Sequence, residues 1–126
     1  MGIQDSVKAF NWRLKSAEAG YPGGMRALSD MYLSGEGTER DVEKSLEWLM
    51  KAADAKDATA MRKLAIKYMG GTRLGRDFAK AKELIESVLE KEPENVYASR
   101  LLARMYRDGV GVSENSELAK KWYLSP

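Results

Sequence analysis

Tryptophan, tyrosine, leucine and glycine recur in this chain at one interval, and that recurrence restricts the fold more than any other feature. Trp12 and Trp48 stand 36 residues apart; the same step leads to Leu84, and 38 more residues lead to Trp122. Identical offsets join Tyr32, Tyr68 and Tyr106, then Leu28, Leu64 and Leu102, then Gly35, Gly71 and Gly109. A further column reads Asp5, Asp41, Asp77 and Asn115. A period of this length is the mark of a supersecondary unit stacked on copies of itself.

The contents of the period say what the unit is. Met25, Leu28, Met31 and Tyr32 fall on one face of a helix, and Gly35 suits the left-handed position just past its end. The Asp/Asn column then supplies N-caps, because a short side-chain oxygen accepts from first-turn N–H groups that lack a partner. Each unit therefore reads as helix A, glycine loop, capped helix B. Helix A is expected over 24–34, 58–70 and 95–108, and helix B over 6–19, from Asp41 through Ala53, and over 78–91 and 116–124. That makes seven helices, a half unit followed by three full ones. Ser29, Ala65 and Ala103 follow the helix A leucines, and Ala9, Ser45, Ala81 and Ala119 precede the Trp/Leu column by three. Small side chains there predict close helix crossings, and the Trp, Tyr and Leu columns are expected in the core.

Composition excludes several chemistries. With no His and no Cys, His-based acid–base catalysis, a Ser/His/Asp triad, thiol catalysis and Cys/His zinc sites are ruled out. The remaining Asp, Glu, Lys, Tyr and Ser show no pattern of convergence, so no enzyme, cofactor or metal is expected. Residues 70–77, GGTRLGRD, imitate a phosphate loop only faintly: no strand precedes them, and Arg76 and Asp77 replace the Lys and Ser/Thr. Charge is mixed in sign and nets +2, without a basic run, which gives no support to a nucleic-acid partner. No apolar stretch approaches a membrane span, and no apolar segment of a signal peptide opens the sequence. Together with the lack of Cys, these features point to the cytoplasm; a periplasmic location, with a signal peptide outside this sequence, is the alternative.

The segments LSDMYLSGEG (28–37), EKSLEWLMKAA (43–53) and LARMYRDGVGV (102–112), extended by Lys120-Lys121-Trp122-Tyr123 and by Lys8, Ala9 and Trp12, carry a resemblance. They resemble the Sel-one-like repeat family, relatives of tetratricopeptide repeats. The resemblance implies an all-α, α/α solenoid, a right-handed superhelix of about three and a half repeats forming one domain over 1–126. The half repeat would cover 5–23 and the full repeats 24–59, 60–97 and 98–126. The second unit departs from the pattern. Arg73 takes the second loop glycine position, Gly75 is displaced by two, and the junction after helix B is two residues longer. That junction is expected to have a geometry of its own, with Pro93 in the first turn of the next helix.

In arrays of this type helix A lines the concave surface, with groove positions two before and two after its conserved Leu. Here the earlier positions are Arg26, Arg62 and Arg100, and the later ones Asp30, Ile66 and Arg104; Met69 and Arg107 lie a turn further on. The resemblance thus implies a groove with an arginine ladder. Its candidate binding residues are Arg26, Asp30, Arg62, Ile66, Met69, Arg100, Arg104 and Arg107. Guanidinium forks suit carboxylates, so the expected partner is a protein or acidic peptide. The alternative for the same arginines is pairing within the chain, with Glu18, Asp30, Asp54 or Asp57. The family resemblance implies a bacterial interaction scaffold or adaptor. A narrower reading is an immunity-type inhibitor of a secreted toxin, and one from another class is a small-ligand binder or weak hydrolase. Leu118, Trp122 and Tyr123 are expected to form an apolar C-terminal end face that would join a partner or a second copy of the chain.

Overall fold

The computed structural model describes residues 3–70, 75 and 77–108. Within them run six α-helices and no strand: α1 (Ile3–Glu18), α2 (Pro22–Ser34), α3 (Val42–Asp54), α4 (Ala58–Gly70), α5 (Phe78–Lys91) and α6 (Val96–Asp108). The chain is all-α, as the repeat pattern implies. The seventh helix expected over 116–124, and with it the C-terminal end face, lies outside the described residues, as does Arg73 in the second loop. The chain divides into two compact units, one ending at Ala60 and one beginning at Met61.

Two loops between helix A and helix B are closed by the same pair of bonds. The Asp41 side chain accepts from Lys44 N at 3.0 Å, and Asp77 accepts from Lys80 N at 2.9 Å. The backbone N–H groups of the same two residues donate backwards to the carbonyls of Tyr32 (2.8 Å) and Tyr68 (3.0 Å). Each Asp thus caps the helix that follows and pins it to the end of the helix before. In the first loop Gly35 turns left-handed at φ +77° and donates to Met31 O, the usual way to end a helix. Gly37 is left-handed too, and a Cβ on it would collide with Ser6 O of α1, so the loop lies against that helix. Gly75 has the same φ of +75° as Gly37. Asp5 departs from its column: α1 starts ahead of it, so it sits inside the first turn and favours the positive helix end without capping it.

The B-to-A junctions fall into two kinds. Gly20 and Lys56, one period apart, both adopt positive φ, and Tyr21 and Asp57 then donate to Ser16 O and Ala52 O. The longer third junction contains no positive φ; Asn95 N–H instead donates to Glu92 O, and its side chain caps Ala98 N at 3.0 Å. Pro93 lies in the turn before this cap rather than in the first turn of α6, because Asn95 supplies the side-chain acceptor that sets the start.

In the first unit α2 packs against both α1 and α3. Gly24 lets α2 approach α1, since a Cβ there would lie 2.8 Å from Ala17 N. Phe10 meets Tyr32 edge-on at 5.4 Å. Against α3, two buried serines bond reciprocally: Ser29 Oγ donates to Ser45 O and Ser45 Oγ to Ser29 O, each at 2.7 Å. In the second unit the same two columns hold Ala65 and Ala81, both fully buried, and α5 packs against α6.

The Leu column is core, with Leu28, Leu64 and Leu102 at most 4% exposed. The Trp column is not. Trp12 is 69% exposed, and Trp48 and Leu84 are half-buried. The buried helix B positions are the next ones along, Leu49 and Ile85. Lys15 and Lys51 lie over the rings of Trp12 and Trp48 at 4.8 and 4.4 Å, which marks the outer faces of those rings as solvent-side. Ala9 is exposed as well, so the small-residue column marks a crossing only where a helix A packs on it.

These contacts predict a ranking of stability losses in chemical denaturation. Ile85→Ala should cost ~2–5 kcal/mol, Ala65→Leu ~1–3 kcal/mol by overpacking, and Trp12→Ala less than ~0.5 kcal/mol. Ser29→Ala and Ser45→Ala should each cost ~1 kcal/mol, and the double variant less than their sum, because the alanine pair already serves in the second unit.

Candidate functional site

The arginines two positions before the helix A leucines meet different surroundings. Arg26, on α2, places Nε 2.7 Å from Asp57 Oδ2; the side chains are 36% and 17% exposed. The N–H is not aimed at an acceptor, so this is a charge contact without a directed hydrogen bond. The same Asp57 oxygen accepts from Ala60 N at 2.9 Å and caps α4. Arg26 therefore braces a helix cap from within the first unit. Asp30 is exposed on the same helix and has an interaction of its own.

The second unit brings four of the expected residues together. Arg62, Ile66, Arg100 and Arg104 line one open cleft between α4 and α6, of about 250 Å³, along with Tyr97 and Leu101. The spacing explains the convergence. Arg62 and Ile66 are one turn apart on α4, while Tyr97, Arg100, Leu101 and Arg104 follow a single stripe of α6. The opposite stripe of α6 carries the buried Ala98, Leu102 and Met105, which turns the arginines outward. The Arg62 guanidinium lies 4.7 Å from the centre of the Tyr97 ring, a stacking contact worth ~0.5–1 kcal/mol at an exposed site. Ile66 is 46% and Tyr97 63% exposed, so the cleft has apolar walls open to solvent. Within the described residues no carboxylate lies at ion-pair distance from Arg62, Arg100 or Arg104. Met69 and Arg107 do not line the cleft; Met69 is half-buried on α4 and Arg107 exposed on α6 with a contact elsewhere.

Tyr97 and Leu101 were not among the residues that the groove positions nominate. Their signal was present in the spacing, since Tyr97 lies one turn before Arg100 and two before Arg104, and Leu101 one turn after Tyr97, on the same helical stripe. Among the described residues no group of three or more acidic side chains is placed to hold a metal, and no helix is long and apolar enough to cross a membrane.

Helical hairpins linked by repeated caps and close small-residue crossings define an α/α solenoid protein. The Sel1 repeat family model matches residues 1–21, 22–57, 58–87 and 96–125, and the chain belongs to that family. Two solved structures are similar. A Sel1 repeat protein from Oxalobacter formigenes is 28% identical, with a TM-score of 0.86 over 95% of this chain and 48% of that one. A protective antigen present in uropathogenic Escherichia coli strains, displaying an SLR fold, is 29% identical, with a TM-score of 0.82 over 93% of this chain and 25% of that one. The chain thus spans about half or less of the length of either. No curated protein matches it. Sel1 repeat proteins are in general protein–protein interaction scaffolds.

The Arg26–Asp57 geometry predicts unequal losses on truncation. Asp57→Ala removes the cap and the charge and should lower stability by ~0.5–2 kcal/mol. Arg26→Ala removes only a partly exposed pair and should cost less than ~1 kcal/mol. Urea denaturation of both variants checks this; an equal or larger loss for Arg26→Ala would contradict it.

Proposed function

We propose that this chain is a protein-interaction scaffold that holds an acidic segment of a partner protein in the α4–α6 cleft. The observation that carries this reading is the set of three guanidinium groups, Arg62, Arg100 and Arg104, around one cleft with no carboxylate of the described chain against them. Like charges gathered without counter-charges repel one another, and an external carboxylate relieves that repulsion. Guanidinium also presents paired N–H donors that match a carboxylate. Arg26 stands apart from this reading, since it already faces Asp57.

The arginines contribute little to the core, so their reversal separates binding from folding. Arg62→Glu with Arg100→Glu should abolish capture of the partner by the immobilised chain while leaving the melting temperature nearly unchanged. Capture that persists in the double variant sinks the proposal.

A further inference from the structure

The α4–α6 cleft is not only basic. Ile66 and Leu101 line it together with the three arginines, and Tyr97 adds an aromatic face. Among the described residues of the second unit, Ile66 and Tyr97 are two of the large apolar side chains most open to water. An acidic ligand alone would touch the arginine heads and leave this apolar surface wet. Contacts between exposed charges are weak and are screened by salt. Apolar area removed from water is not screened in this way and favours a ligand that covers it.

The charges are also distributed over both walls. Arg62 comes from α4, and Arg100 and Arg104 come from α6, one helical turn, ~6 Å, apart. Stacking on Tyr97 holds Arg62 at 4.7 Å from the ring centre and so keeps its donors near the apolar walls. A ligand side chain seated against Ile66 and Leu101 would have guanidinium groups on either side of it.

We infer that the cleft reads a two-part determinant: a large apolar side chain bracketed by carboxylates, in a single peptide segment of the partner. This rests on the acidic-segment reading above and narrows it. The apolar anchor supplies contact that survives salt, and the flanking carboxylates orient it and exclude basic or neutral segments. Tyr97 is a positioning residue for Arg62 in this scheme.

Three labelled peptides differing only at their centre test the inference by fluorescence anisotropy with the whole chain: Glu-Phe-Glu, Glu-Gly-Glu and Gly-Phe-Gly, each in the same neutral flanks. Glu-Phe-Glu should bind at least about ten-fold more tightly than either of the others and should keep more of its affinity than Glu-Gly-Glu as salt is raised. Ile66→Ser should remove the advantage of Phe over Gly. Arg100→Glu with Arg104→Glu should abolish binding of both acidic peptides, whereas Arg13→Glu, an exposed charge reversal on α1, should leave them unchanged. Equal binding of Glu-Phe-Glu and Glu-Gly-Glu overturns the two-part determinant but leaves the acidic reading standing. Gly-Phe-Gly binding as tightly as Glu-Phe-Glu, or no binding of any peptide, overturns both.

Discussion

Asp41 and Asp77 each tie two helices together, and the rest of the repeat depends on that double attachment. The side-chain oxygen holds the first turn of helix B, while the backbone N–H reaches back to the Tyr carbonyl at the end of helix A. One residue thereby satisfies two of the groups that helix ends leave open, and it sets where the second helix begins relative to the first. The close crossing of α2 and α3 follows from that register. Only with the starts aligned do Ser29 and Ser45 face each other closely enough to exchange hydroxyl–carbonyl bonds at 2.7 Å. The second unit keeps the register and the small size but drops the hydroxyls, with Ala65 and Ala81 in their places. Size is the invariant requirement and hydrogen bonding a local elaboration of it.

The helical period separates a buried from an exposed set of side chains on each helix A. Leu64 and Ala65 on α4, and Leu102, Ala103 and Met105 on α6, carry the burial. Arg62, Ile66, Arg100 and Arg104 occupy the other side of the same turns. The two sets interleave in sequence and diverge in space because a helix turns by 3.6 residues. Substitutions on the exposed set should therefore cost little in stability.

Neighbouring units use the same sequence position for different ends. Arg26 is held against Asp57, which caps α4, so its charge is already met. The equivalent Arg62 and Arg100 meet no carboxylate of the described chain, and Arg62 rests on the face of Tyr97 instead. The difference follows from the junctions. The short junction ends in Asp57, a capping residue that is also an anion, whereas the longer one ends in Asn95, which caps equally well without charge. Arg62 is the counterpart of Arg26 in that arrangement, and the neutral cap at Asn95 offers it no anion.

Most of the architecture was legible in the sequence. Helices, caps, the Leu column and the small-residue crossings all express local or near-neighbour physics: turn period, cap chemistry and side-chain volume. Several helix limits, such as 58–70 and 78–91, could be read directly. The Trp column misled because recurrence signals a shared environment but not how deep it is. Trp12 and Trp48 lie at the margin of the helix packing, and Leu49 and Ile85, one residue on, fill the interior. The arginine positions were legible too, as a spacing, but not their partners. Which arginine meets Asp57, and that Tyr97 and Leu101 join Arg62, Ile66, Arg100 and Arg104 in one cleft, depends on how α4 and α6 come together. The sequence by itself determined the repeat, the caps and the outward stripe of charge, because these depend on residues a few positions apart. Only the tertiary structure decided which charges are met and which surfaces share a cleft, because those contacts join side chains distant in the chain.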